Sequence, residues 1–170
     1  MKLGSFCSGY GGLDLAVELF YNAETVWWSD IDKASQEVMA TRFPKAKPVG
    51  DLTKLNPHDL EPVNIVAAGF PCQPFSTAGL RKGNDDERAI FQWIGDACSI
   101  LRPDRIVLEN VQGILTKGGP SVIATLTSMG YDCRWGLVRA SDAYAPHRRA
   151  RWICVAYPAD TDSSSSQAWG

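Results

Sequence analysis

Apolar positions along the chain fall into short runs of two kinds, some unbroken and some recurring every three or four residues, with glycine- and proline-rich breaks between them. Lys2–Phe6 reads as a strand. A glycine-rich turn through Gly9, Gly11 and Gly12 follows, then a helix whose apolar positions Leu13, Ala16, Val17 and Phe20 keep helical spacing. A second strand is predicted at Thr25–Ser29, and a helix from Asp32 to about Arg42 with Asp32 as its N-cap. Pro44 and Pro48 punctuate a short extended piece ending at Gly50-Asp51, and the run from Val63 to Ala68 reads as a buried strand ending at Gly69. Residues 69–87 show little periodicity and read as a functional loop. Helical spacing resumes from about Glu87 to Leu101, and Asp104–Leu108 is a further buried strand leading into Glu109-Asn110. A helix from Pro120 to Met129 closed by Gly130 precedes two strands, Tyr131–Arg139 and Arg151–Tyr157, joined by a loop containing Pro146.

Strands that alternate with helices and end on polar residues predict an α/β sheet, in which ligands collect at the carboxyl ends of the strands. The 170 residues suit one domain, taken as 1–158, with a polar tail at 159–170 that includes four consecutive serines. A formal charge of −2 excludes a protein held on nucleic acid by bulk positive charge. The one dense basic cluster is Arg148, Arg149 and Arg151. No run approaches the ~18 apolar residues of a membrane span and no signal peptide is evident, so no membrane partner and a cytoplasmic location are expected. Five cysteines, widely spaced and without a CxxC pair, disfavour both a disulfide framework and a zinc site. A thiol nucleophile stays open.

Several residues stand where chemistry is done. Gly9, Gly11 and Gly12 allow a ligand to approach backbone amides, or serve only as a tight connection; their spacing departs from the GxGxxG dinucleotide pattern. Asp30 and Asp51 end predicted strands, where a carboxylate either accepts from sugar hydroxyls and an adenine amino group or is simply solvated. Cys72, between Pro71 and Pro74, is positioned either as a nucleophile or as an incidental thiol, whereas Cys98 and Cys154 lie in apolar periodic segments and read as packed. Glu109 follows a buried strand and would face the same crevice, able to move a proton or to serve helix entry, with Asn110 placed to fix the adjoining loop. Arg149 and Arg151, two apart, would share a side if that segment is extended, gripping phosphate and a base edge or standing as a solvated cluster.

Taken together, Gly69-Phe70-Pro71-Cys72-Gln73-Pro74-Phe75-Ser76, the glycine turn, Glu109-Asn110-Val111 and His147-Arg148-Arg149-Ala150-Arg151, in this order, resemble the DNA cytosine-5 methyltransferase family over nearly the whole chain. The resemblance implies a Rossmann-like S-adenosylmethionine-dependent methyltransferase sheet with flanking helices. It also implies a role for each residue. Cys72 would attack C6 of a cytosine, Glu109 would hold or protonate N3, and Arg151 would bind O2 with Arg149 supporting the loop. Asp30 would meet the ribose and Asp51 the adenine of S-adenosyl-L-methionine, the glycine turn would take its methionine part, and Pro71 would lie between cofactor and base. Double-stranded DNA is the implied acceptor, with base flipping and a role in restriction-modification.

Three departures accompany the resemblance. Cys7 stands where the family has phenylalanine and Ser5 where it often has aspartate; His147 replaces a common glutamine. After Tyr157 the family continues into target-recognition and closing segments, so the chain reads as the N-terminal catalytic part, served by a complementary subunit or truncated. An inactive cofactor- or partner-binding remnant and an RNA cytosine-5 methyltransferase are the rival readings.

Overall fold

The computed structural model describes residues 1–71 and 88–159. Cys72, the other residues to Glu87 of the segment expected to be a functional loop, and those from residue 160 onward lie outside the described residues. Among the described residues seven strands form one sheet: β1 (Lys2–Phe6), β2 (Glu24–Ser29), β3 (Lys47–Pro48), β4 (Ile65–Gly69), β5 (Arg105–Val111), β6 (Tyr131–Arg139) and β7 (Ala150–Pro158). Their order is β3-β2-β1-β4-β5-β7-β6, with β1 to β5 parallel to one another and β7 antiparallel to both β5 and β6. The chain winds outward from β1 to β3 and then returns to the other side of β1 at β4. That reversal opens a crevice between the carboxyl ends of β1 and β4, the usual ligand position in open α/β sheets.

The helices are α1 (Gly12–Tyr21), α2 (Lys33–Arg42), α3 (Arg88–Leu101), α4 (Ile114–Lys117) and α5 (Gly119–Ser128). Alternate strand residues divide between two apolar layers, as the two-residue pleat requires. Val66, Ala68, Ile106 and Leu108 pack with Ile94, Ala97 and Cys98 of α3 and Val122 and Leu126 of α5. Leu3, Ile65, Ala67 and Val107 pack with Val17 of α1 on the other face, while Met39 and Phe43 cover Trp28 beside them. The residues at the carboxyl ends are thereby held on a rigid, two-sided core.

Most predicted elements stand within a residue or two of where the pattern places them, and Asp32 caps α2 by accepting from the Ser35 amide at 2.8 Å. Three expectations change. The buried stripe of α1 runs through Asp14 and Val17, while Ala16 is exposed and Phe20 is 65% exposed, so the helix is rotated from the predicted face. The cause is an apolar composition nearly all round the helix: Leu15 and Leu19 also point outward. β3 closes at Pro48, and Asp51 instead caps a single helical turn at Leu52–Lys54. β5 continues through Glu109 and Asn110 because β7 pairs with it there, opposing Glu109 to Ile153 and Asn110 to Trp152.

Candidate active site

Phe6 ends β1, and the backbone then turns through Cys7, Gly9 and Gly11, all with positive φ (51°, 54° and 74°). The turn is tied to the end of β2: Ser8 N donates to Ser29 O at 3.2 Å, and Gly9 N donates to Asp30 Oδ2 at 2.8 Å. The other Asp30 oxygen accepts from Asp32 N at 2.9 Å. Asp30 thus fixes the glycine turn with one oxygen and the entry to α2 with the other, through charge-assisted bonds that each leave a lone pair for a ligand hydroxyl.

The three glycines divide by environment. A Cβ at Gly9 or Gly12 would meet nothing within 4 Å, whereas one at Gly11 would fall 2.7 Å from the Phe43 ring and 2.8 Å from Met39 Sδ. Gly11 is required for packing against α2; Gly9 and Gly12 border open space. The N-cap Gly11 supplies no side chain to the first amides of α1, and these point out of the helix end where a negative group is favoured.

Asp51 follows Gly50 (φ 83°) and accepts at Oδ1 from both Thr53 N and Thr53 Oγ1, at 2.9 and 2.8 Å. Lys54 Nζ stands 3.1 Å from Oδ2. The Thr53 hydroxyl, with lesser help from the Thr53 amide and Lys54, holds the carboxyl below its ordinary range. The Asp51 turn is joined to β2 by Val49 N donating to Trp28 O at 2.9 Å and Ser29 Oγ donating to Gly50 O at 2.6 Å.

On the other side of the crevice, Glu109 Oε1 lies 2.7 Å from Arg151 Nε, with about a quarter to a third of each side chain exposed. A Cβ at Gly69 would stand 3.5 Å from the Cys7 carbonyl and 3.6 Å from Glu109 Oε2, so glycine there keeps the gap between the β1 turn and the Glu109 carboxylate open. Asn110 is buried; its Nδ2 donates to Phe70 O at 2.9 Å and its Oδ1 accepts from Val111 N at 2.8 Å. Those bonds anchor the backbone just after β4, next to Pro71, which is exposed. The structure therefore brings Glu109 and Arg151 together, with Gly69 and Asn110 around them. Arg149 lies just before β7, is exposed, and has no ion pair among the described residues. Cys72 lies outside the described residues.

Four other thiols are described. Cys98 and Cys154 are buried in the core, as predicted, and burial pushes Cys98 up to about 12. Burial, reinforced by the Asp30 charge, likewise raises Cys7 to about 12, so this thiol of the β1 turn is no nucleophile at neutral pH. Asp14 belongs to none of the motifs above. It is 1% exposed, beside the mutually bonded Ser5 and Ser8 hydroxyls, 2.8 Å apart, under the glycine turn. An acidic residue three before Val17 on the buried stripe is the signal that would have found it.

Comparison with known proteins bears on the family and the fold. Residues 1–168 match the family of C-5 cytosine-specific DNA methylases. The chain is 33% identical over 171 residues to the type II methyltransferase M.NaeI of Lentzea aerocolonigenes, covering 92% of this chain and 40% of that protein. Among solved structures, a DNMT2 variant of Spodoptera frugiperda superposes with a TM-score of 0.82 at 23% identity over 99% of this chain and 53% of that one. The Dnmt2 methyltransferase of S. pombe gives 0.78 at 26% identity, over 94% and 51%. Across eight curated relatives the chain spans 33% to 50% of their length.

Proposed function

The chain belongs to the family of C-5 cytosine-specific DNA methylases, and from this premise we propose that it supplies the cofactor-binding and cytosine-activating part of a methyltransferase that modifies C5 of cytosine in a polynucleotide. S-adenosylmethionine is the methyl donor that membership carries. Its fit rests on the open space at Gly9 and Gly12, the uncapped start of α1 and the lone pairs left on Asp30. In this reading the glycine turn takes the methionine part, Asp30 the ribose and Asp51 the adenine amino group, with Pro71 between cofactor and base. When bound, S-adenosylmethionine supplies the electrophilic methyl group that an activated C5 takes.

The chain's own residues make C5 reactive. The Cys72 thiolate adds to C6, and Glu109 holds or protonates N3 so that electron density is pushed toward C5. Arg151 orients the Glu109 carboxylate and offers its fork to O2, and Arg149 supports the loop. Loss of the C5 proton and expulsion of Cys72 then restore the ring. The single observation that carries this reading is the 2.7 Å Glu109–Arg151 contact at the carboxyl end of β5, across Gly69 from the glycine turn.

The acceptor has two readings. The family description and the type II relative support double-stranded DNA and a restriction-modification setting; RNA, the rival acceptor, is carried in the same assay. Target reading is assigned to polypeptide beyond these residues, in the same chain or a complementary subunit. The test is transfer of labelled methyl to defined DNA duplexes and to tRNA, with and without a complementary polypeptide. Wild type but not Cys72→Ser should be trapped on 5-fluorocytosine, and calorimetry should show Asp30→Ala and Asp51→Ala losing roughly tenfold or more in cofactor affinity. Cofactor binding with no transfer to either polymer, complemented or not, would establish the inactive reading instead. Among the described residues no helix is long and apolar enough to cross a membrane.

A further inference from the structure

The hairpin joining β6 to β7 projects a ring that the methyl-transfer site does not use. Tyr144 is 99% exposed and has φ 62°, a left-handed conformation that favours glycine and strains a bulky side chain. Yet the backbone around it is closely bonded. Tyr144 N donates to Ser141 O at 3.1 Å, Ala145 N to Ala140 O at 3.1 Å and Ala140 N to Arg148 O at 3.1 Å, while Asp142 Oδ2 accepts from Arg139 N at 2.8 Å. The fold therefore holds this ring outward, in a conformation that neither core packing nor local propensity favours.

The surroundings are cationic. Arg139, Arg148 and Arg149 are all exposed, and none of them has an ion pair among the described residues. Asp142 is the lone acid between Arg139 and Arg149, and one of its oxygens is already engaged by the backbone. The root of the hairpin is the site itself. Arg139 pairs with Ala150 and Val138 with Arg151, whose guanidinium meets Glu109. In a chain of net charge −2, this local cluster stands out as the surface suited to an anionic strand.

We propose that the β6–β7 hairpin is a nucleic-acid contact surface in which the Tyr144 ring stacks on an unstacked base near the acceptor cytosine while Arg139 and Arg148 meet phosphates. An outward ring framed by cations is the combination with which proteins hold single-stranded or locally opened strands. The methyltransferase reading supplies the identity of the strand; the contact rests on the hairpin.

The test is equilibrium binding by fluorescence anisotropy with the full chain and three labelled probes: a DNA duplex containing one mismatched cytosine, its single strand, and the RNA of the same sequence. Tyr144→Gly removes the ring and relieves the positive φ, so folding, followed by thermal unfolding, should be unimpaired. Affinity should fall about tenfold or more, and Tyr144→Phe should restore it. Tyr144→Asn, which also tolerates the left-handed region, repeats the test should the glycine variant unfold. Arg148→Ala should flatten the dependence of log affinity on log salt by about one. Unchanged binding by both ring-removing variants, or no binding of any probe by wild type, overturns the proposal, and the probe arms identify which polymer is held. Methyl transfer is read separately. Tyr144-dependent binding without transfer to either polymer, complemented or not, refutes the function and leaves the surface, whereas transfer indifferent to Tyr144 refutes the surface alone.

Discussion

Replacing Asp14 with asparagine should make the stability difference between variant and wild type strongly dependent on pH. The carboxyl is 1% exposed on the sheet-facing side of α1, and neither oxygen meets a donor in hydrogen-bond geometry. Burial pushes its pKa from 3.8 up to about 6; the Ser5 hydroxyl and the local backbone amide oppose the rise in part, and Glu18 adds to it. Between about pH 4 and 6 the native state consequently binds more protons at this site than the unfolded chain, for which the ordinary aspartate value holds. The favourable contribution is complete below the unfolded value and is lost as pH rises through the folded one. A shift of this size, at about 1.36 kcal/mol per pH unit, amounts to at most about 3 kcal/mol. The asparagine side chain cannot ionise, so the variant should gain on wild type by up to that amount between about pH 4 and 7.5, or roughly 6–12 °C in Tm for a domain of this length. Urea unfolding followed by tryptophan fluorescence at half-unit pH steps measures it. Contributions from the other carboxylates cancel in the difference, and the buried amide of the variant adds an offset independent of pH. A difference that stays constant from about pH 4 to 8 would refute the reasoning and mean that the carboxylate finds a donor or water in the native state.

Three further outcomes follow from the same geometry. Asn110→Ala removes both bonds that anchor Phe70 and Val111, and should cost about 2–3 kcal/mol in urea denaturation while abolishing methyl transfer. Gly11→Ala meets Phe43 and Met39 at a positive φ and should destabilise by about 2–4 kcal/mol, whereas Gly12→Ala, with nothing within 4 Å, should change stability by less than about 1 kcal/mol and show its effect in cofactor calorimetry. Among the described thiols, Cys133, whose thiolate is favoured by a hydrogen bond from Cys154, should be alkylated first at about pH 7.5; Cys7, Cys98 and Cys154, all raised, should resist, as peptide mass mapping would reveal.

The sequence by itself determined the alternation of strands and helices, the bounds of β1 and β6 to the residue, and the Asp32 cap, because these depend on side-chain period and on contacts a few residues apart. It also carried the motif order from which the family, and with it the cofactor, was expected. Which face of α1 is buried was decided by the sheet: with apolar residues nearly all round the helix, periodicity could not choose, and Val17 rather than Phe20 met Ile65 and Ala67. Glu109 entered a strand because β7 pairs with β5, and pairing of that kind has no signature in the local pattern. The same holds for the site. Asn110 reaches a carbonyl 40 residues away, Arg151 meets Glu109 across a strand ladder, and Gly11 differs from Gly9 by what α2 places against it. Short-range propensity sets the elements, but partners, register and the burial of a carboxyl such as Asp14 belong to segments that are neighbours only after folding.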